Sequence, residues 1–162
     1  MKGGNSMGKS ETEKLPFSRG YQVAVVVRDM DKAIKFYESL GIGPFIEGPS
    51  AIALDRKIYG KPAPDVKVRG AIAQMGQIEF ELFQPIEGQS IQKEFLDTKG
   101  EGVVHISSYV DDLDKEVAKL AEKGFKVCSS GGLPDGGKFA YIDTREVGGI
   151  ILELFQPGTT WK

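Results

Sequence analysis

Glu81-Leu-Phe-Gln-Pro85 recurs unchanged 72 residues later as Glu153-Leu-Phe-Gln-Pro157, and this recurrence decides how the chain is read. A glycine stands five residues before each glutamate, at Gly76 and Gly148. Further toward the amino terminus a second match runs at an offset of 83 residues: Gln22-Val-Ala-Val-Val-Val27 lies over His105-Ile-Ser-Ser-Tyr-Val110. Asp29, Met30, Asp31 and Lys32 then meet Asp112, Leu113, Asp114 and Lys115, and Gly41 meets Gly124. The two blocks keep their order, so the chain is an internal duplication. The offsets differ by eleven residues, which are extra in the first half. The proline- and charge-rich stretch 50–65 is the natural place for them.

Each half reads as a strand, a helix and three strands, an α+β pattern. Residues 21–27 are β-branched and strand-like. Asp29 or Asp31 caps a helix that runs to about Leu40, and Gly41 stops it. Ile34, Tyr37 and Leu40 share one helical face, as do Val117, Leu120 and Ala121 in the second half; Phe36 and Tyr37 read as helix core. Strands are expected near 43–48, 66–75 and 77–84, and again near 125–129, 138–143 and 149–156. A short helix from Ser90 to Asp97 links the halves. The organisation expected is a flexible tail over 1–18, a first module over 19–88, a linker helix over 89–101 and a second module over 102–158.

Strand alternation then places side chains. Ile151, Glu153 and Phe155 share a face, and Glu153 is a carboxylate on an otherwise apolar surface. A buried carboxylate needs a partner or a cation. Glu79, Glu81 and Phe83 share a face in the first half. Gln22 goes with Ala24 and Val26, and His105 with Ser107 and Tyr109. Two curled units set side by side enclose a trough, and equivalent positions fall near the axis relating them. The duplication therefore gathers Gln22, Glu81, His105 and Glu153: one amide oxygen, one imidazole and two carboxylates. That set suits Zn, Ni, Co, Mn or Fe(II).

Bulk properties narrow the function class. The chain has 162 residues, 40% of them hydrophobic, and a net charge of −2. Length fits one domain able to bury a core. The balanced charge gives no footprint for nucleic acid or anionic membrane. The single cysteine, Cys128, reads as a small core residue and points to a reducing, cytoplasmic setting. Gly3, Gly8, Lys9 and Ser10 match a phosphate-loop spacing. No strand can lead into that loop and a polar, proline-broken stretch follows, so it reads as part of the tail. Gly131, Gly132, Gly136 and Gly137 read as a flexible hairpin connection. Arg56, Lys57, Lys61, Lys67 and Arg69 read as a solvated basic face.

Gln22 through Tyr37, Glu81-Leu-Phe-Gln-Pro85, Gly100-Glu-Gly-Val-Val-His105 and Gly149-Ile-Ile-Leu-Glu-Leu154 together resemble the vicinal oxygen chelate (glyoxalase, bleomycin resistance, dioxygenase) superfamily. The resemblance spans about residues 19–157 and implies a glyoxalase-like fold, two tandem βαβββ modules in a curled mixed sheet. The stretch from Ser90 through His105 to Asp112 is similar to methylmalonyl-CoA epimerases. Those carry histidines where this chain has Gln22 and Val104. The ligand order Gln, Glu, His, Glu instead resembles glyoxalase I (lactoylglutathione lyase).

Both branches imply a divalent metal, here Zn, Ni, Co or Mn, held by Gln22, Glu81, His105 and Glu153. The metal would act as a Lewis acid toward an enediolate or enolate. By resemblance Glu153 is the leading base and Glu81 the second, with Glu47 and Glu79 behind them. The substrate would be a small molecule carrying glutathione or CoA, and the protein a homodimer. The modules could pair within one chain or across that dimer. A metal-free binding protein of the resistance type on the same fold is the alternative. A dioxygenase fits less well, because it uses two histidines and the chain has one.

Overall fold

A computed structural model describes residues 15–48 and 53–160. The phosphate-loop-like residues and most of the expected tail lie outside the described residues. Among the described residues ten strands form one mixed sheet in the order β2-β5-β6-β1-β7-β10-β9-β8-β3-β4. The first half supplies β1 (Gly20–Val26), α1 (Met30–Ser39), β2 (Ile46–Glu47), β5 (Lys67–Met75) and β6 (Ile78–Glu87). The second supplies β7 (Gly102–Tyr109), α3 (Leu113–Glu122), β8 (Val127–Gly132), β9 (Lys138–Ile142) and β10 (Ile151–Gln156). Helix α2 (Ile91–Lys99) joins them. The repeated elements thus appear where the matched sequence blocks place them.

The halves pair within the chain. β1 runs parallel to β6 and antiparallel to β7, and β7 runs parallel to β10. Among the described residues three apolar clusters fill the fold. One lies inside the curled sheet, with Ala24, Val26, Phe83, Ile151 and Phe155 among its members. The other two lie under α1 and α3. The alternation read from β10 holds: Ile151 and Phe155 face the inner cluster, and Leu154 faces the cluster under α3.

Local signals explain the helices. The Asp29 carboxylate accepts from the Lys32 N–H, and Asp112 accepts from Lys115 in the same way. Ser90 caps α2 through Lys93. Each cap satisfies an amide that the first helical turn leaves unpaired. Gly76 and Gly148, the two glycines of the repeat, both adopt positive φ in the turns before β6 and β10. Three expectations fail. Leu40 and Phe36 are exposed, as is Ala121. Buried Met30 and half-buried Ala33, Ile34 and Tyr37 make the inward stripe of α1; Phe36 lies off it, and Leu40 stands at the C-cap. Cys128 is buried as expected.

The eleven extra residues have structure of their own. β3 (Leu54–Ile58) and β4 (Lys61–Pro62) form a hairpin that crosses from the first half to pair with β8, at the far edge of the sheet. Gly131 permits the approach: a Cβ there would stand 2.9 Å from the Phe139 ring and 3.1 Å from the Leu54 carbonyl oxygen. This glycine therefore belongs to a paired strand, and the expected flexible connection is shorter than its composition suggests.

Candidate active site

Two rows of neighbouring residues cross the four central strands. Strand register aligns Glu79, Gln22, Ser107 and Glu153 in one row. It aligns Glu81, Ala24, His105 and Ile151 in the next. Gln22, Glu81, His105 and Glu153 therefore come from four adjacent strands, β1, β6, β7 and β10. All four are buried, with His105 wholly enclosed.

The first row is joined by hydrogen bonds. Gln22 Nε2 donates to Glu79 at 3.0 Å, and Ser107 Oγ donates to Gln22 Oε1 at 3.0 Å. Ser107 also makes a short contact with Glu153. In the second row His105 Nε2 stands 3.4 Å from a Glu153 carboxylate oxygen and 3.9 Å from one of Glu81. Among the described residues neither ring nitrogen of His105 has a hydrogen-bond partner. Its ring lies between Phe83, at a centroid distance of 5.7 Å, and Tyr141, at 4.9 Å.

Burial sets the charges. Desolvation pulls the imidazole of His105 down to about 3, so at neutral pH it is uncharged. Its contacts with the two carboxylates are therefore not ion pairs. Desolvation pushes Glu153 up to about 7, partly opposed by the Ser107 hydrogen bond. Glu79 is raised for the same reason, opposed by Gln22. The hydroxyls of Tyr21 and Tyr141 are also held above their usual range, by burial first and then by the nearby carboxylates.

The row opens on a cavity of about 100 Å³, walled by Gln22, Glu81 and Glu153 together with Phe83, Tyr141 and Phe155. Among the described residues no group of three or more His, Cys, Asp or Glu is gathered as a ready cation cage. The donor chemistry nevertheless fits a divalent cation. An imidazole that is neutral, buried and unsatisfied on both nitrogens offers a lone pair, and two buried carboxylates and an amide oxygen stand around it.

Glu47 stands apart from this site. It is exposed on β2 and pairs with Arg69, 2.6 Å away, which holds its carboxyl low. The basic run also divides. Lys67 and Arg69 make surface ion pairs with Glu87, Asp31 and Glu47. Arg56 turns inward and lines the cavity. Neither Arg56 nor the linking role of Ser107 stands out in the sequence. Ser107 faces Gln22 only because the axis passes through the Val23–Ile106 pair, a register that the sequence repeat does not fix.

This curled mixed sheet and its central row define a glyoxalase-type scaffold, and the chain belongs to the Glyoxalase/Bleomycin resistance protein/Dioxygenase superfamily, whose model matches residues 21–141. It is 28% identical over 104 residues to the uncharacterized protein YqjC of Bacillus subtilis, covering 62% of this chain and 73% of that one. Among solved structures it resembles the methylmalonyl-CoA epimerase of Mycobacterium tuberculosis, with a TM-score of 0.62 and 23% identity over 88% of this chain and 89% of that one. It also resembles a variant of the Streptomyces coelicolor methylmalonyl-CoA epimerase in complex with 2-nitronate-propionyl-CoA, with a TM-score of 0.65 and 20% identity over 86% and 97% of the two chains. At these identities the structural likeness is one of fold.

Proposed function

We propose that this chain is a metal-assisted lyase or isomerase that moves a proton beside a carbonyl, on a small thioester or an α-keto hemithioacetal. The observation that carries the reading is His105. It is wholly buried and neutral, neither ring nitrogen is hydrogen-bonded among the described residues, and two carboxylates stand beside it on the wall of a cavity. Buried polar atoms without partners are costly and call for an occupant. His105 Nε2, Glu81, Glu153 and Gln22 Oε1 are the groups that would hold a divalent cation, Zn, Ni, Co or Mn. When bound, such a cation supplies Lewis-acid stabilisation of the oxygen that becomes negative as the adjacent C–H ionises.

The chain's own residues supply the rest. Glu153 is the base that takes the proton from carbon and returns it. Its carboxyl, near neutrality in affinity for a proton, suits both directions. Glu81 is the second candidate. Phe83 and Phe155 on the cavity wall keep bulk water from the ionised carbon. Glutathione or CoA would be the carrier part of the substrate. The complex of the Streptomyces coelicolor neighbour with an acyl-CoA analogue supports a thioester.

A second reading has its own support. The row from Glu79 through Gln22 and Ser107 to Glu153 is closed by hydrogen bonds without a cation. This favours a metal-free protein that binds a small molecule in the same cavity.

Deuterium uptake separates the two. Methylmalonyl-CoA, and separately the methylglyoxal–glutathione hemithioacetal, are incubated in D₂O with protein loaded with Co, Ni or Zn, and the proton beside the carbonyl is followed by NMR. Exchange by the wild type, lost in Glu153→Gln, is expected with one of them. No exchange with either substrate and any of these metals overturns the first reading. Ligand-induced stabilisation in the absence of metal would then support the second.

A further inference from the structure

The chain has five arginines. Four of them are partnered: Arg19 with Asp111, Arg28 with the Leu96 carbonyl, Arg69 with Asp31 and Glu47, and Arg145 with Glu94 and Asp143. Arg56 is the exception. It is only 7% exposed, yet among the described residues its guanidinium makes no hydrogen bond or ion pair. Its guanidinium carbon lies over the face of Phe139, 5.7 Å from the ring centroid. A buried guanidinium with no direct hydrogen bond or ion pair is costly to hold.

The backbone is arranged to hold it there. The pairing of β3 with β8 slips between Leu54 and Lys57, and Asp55 at this irregularity takes a positive φ of 48°. A bulge of this kind re-aims a side chain at the expense of local strain. Leu54, Asp55 and Lys57 remain exposed while Arg56 is turned onto the cavity wall. The eleven-residue insertion of the first half thus carries one charge across the sheet and sets it in a cavity whose other charged walls are Glu81 and Glu153.

We propose that Arg56 is the anion-binding residue of this site, and that the substrate carries a carboxylate which the guanidinium receives while the carbonyl end lies toward His105. Among the described residues that wall the cavity Arg56 is the one cationic side chain, so an anionic group of a substrate is drawn to its side. The planar guanidinium can give a carboxylate two parallel N–H bonds, and the Phe139 face holds it flat. The cavity, about 100 Å³, suits a small carboxylate-bearing acyl group. This substrate class rests on the proton-transfer reading above; the anion binding does not.

The test uses the full chain dialysed free of metal and isothermal titration with malonate, its neutral dimethyl ester and inorganic phosphate. Malonate is expected to bind the wild type, and Arg56→Met to weaken it at least about tenfold. Arg56→Lys should fall between them, because a lysine supplies the charge without the fork. It also gives a second readout if Arg56→Met fails to fold. The ester should show no difference between wild type and variants. Equal malonate binding by wild type and both variants, or no saturable binding to the wild type, overturns the proposal. Phosphate bound in preference to malonate overturns the assignment to a carboxylate. Malonate binding that depends on Arg56, with no deuterium exchange on any substrate, sinks only the proton-transfer reading. Exchange that persists with unchanged KM in Arg56→Met sinks only this one.

Discussion

Val23 and Ile106 face each other across the antiparallel β1–β7 pair, and each is the other's counterpart in the duplicated sequence. A twofold relation between the halves therefore passes through this pair. On one side of it Gln22 faces Ser107, and on the other Ala24 faces His105. Exchanging the halves exchanges the two contacts. The scaffold is thus symmetric while the side chains nearest the axis are not: Gln22 answers to His105, and Ala24 to Ser107.

That asymmetry gives a first prediction. If Gln22 contributes a ligand, giving its position the residue that its twin carries should strengthen the site. Gln22→His is expected to tighten Zn or Co binding by about tenfold or more, because imidazole is a better ligand than a neutral amide. Competitive chelator titration measures it. Unchanged affinity would remove Gln22 from the ligand set.

Ser107 ties Gln22 to Glu153 from a buried position. Ser107 has one hydroxyl proton to give, to Gln22 Oε1 or to Glu153, and Ser107→Ala removes it, so one of these buried oxygens loses its donor. Urea denaturation should record a loss of about 1–3 kcal/mol. A variant as stable as the wild type would mean that the Ser107 hydrogen bonds contribute nothing net.

Much of this was legible in the sequence, and for a definite reason. Glu81-Leu-Phe-Gln-Pro85 and its copy fix the relation between β6 and β10, and the 83-residue offset fixes that between β1 and β7. Strand alternation then puts Gln22, His105 and both glutamates on the inner face. What stayed hidden lies where the repeat has no twin. β3 and β4 belong to an insertion, so no second copy shows which strand they join. The inward turn of Arg56 depends on a bulge, which breaks the period-two rule by which strand faces are read. Phe36 and Leu40 misled for another reason: hydrophobic residues on a helix bury only where the sheet lies beneath them.

Stability should depend on pH through Glu153. Its folded pKa, about 7, lies above the ordinary 4.5, so the native state binds its proton more tightly than the unfolded chain. The contribution is complete below about pH 4.5 and is lost as pH rises through about 7, by on the order of 3 kcal/mol. Glu153→Gln lacks this loss, so its stability relative to wild type should increase from pH 4.5 to pH 8. His105 acts in the opposite sense. Its folded value of about 3 lies below 6.5, so stability is gained as pH rises through that window. Both proteins share that gain. Parallel profiles in urea melts of the two metal-free proteins would contradict a buried, raised Glu153.

The same proton competes with a cation. His105 is already neutral above about pH 3, whereas Glu153 must lose a proton to ligate. Metal affinity should therefore rise as pH approaches about 7 from below and level off above it. Titrations in buffers of different ionisation enthalpy should show about one proton released per metal bound at pH 6. Binding independent of pH between 5 and 8 would place the cation away from Glu153.

The central claim is that the duplicated strands bring one imidazole, two carboxylates and an amide to a common cation. Titration of the metal-free protein with Co(II), followed by its visible absorption, tests it most directly. The account predicts saturation at one Co(II) per chain and loss of the signal in His105→Ala. A spectrum that never saturates, or that the His105 substitution leaves unchanged, would contradict it.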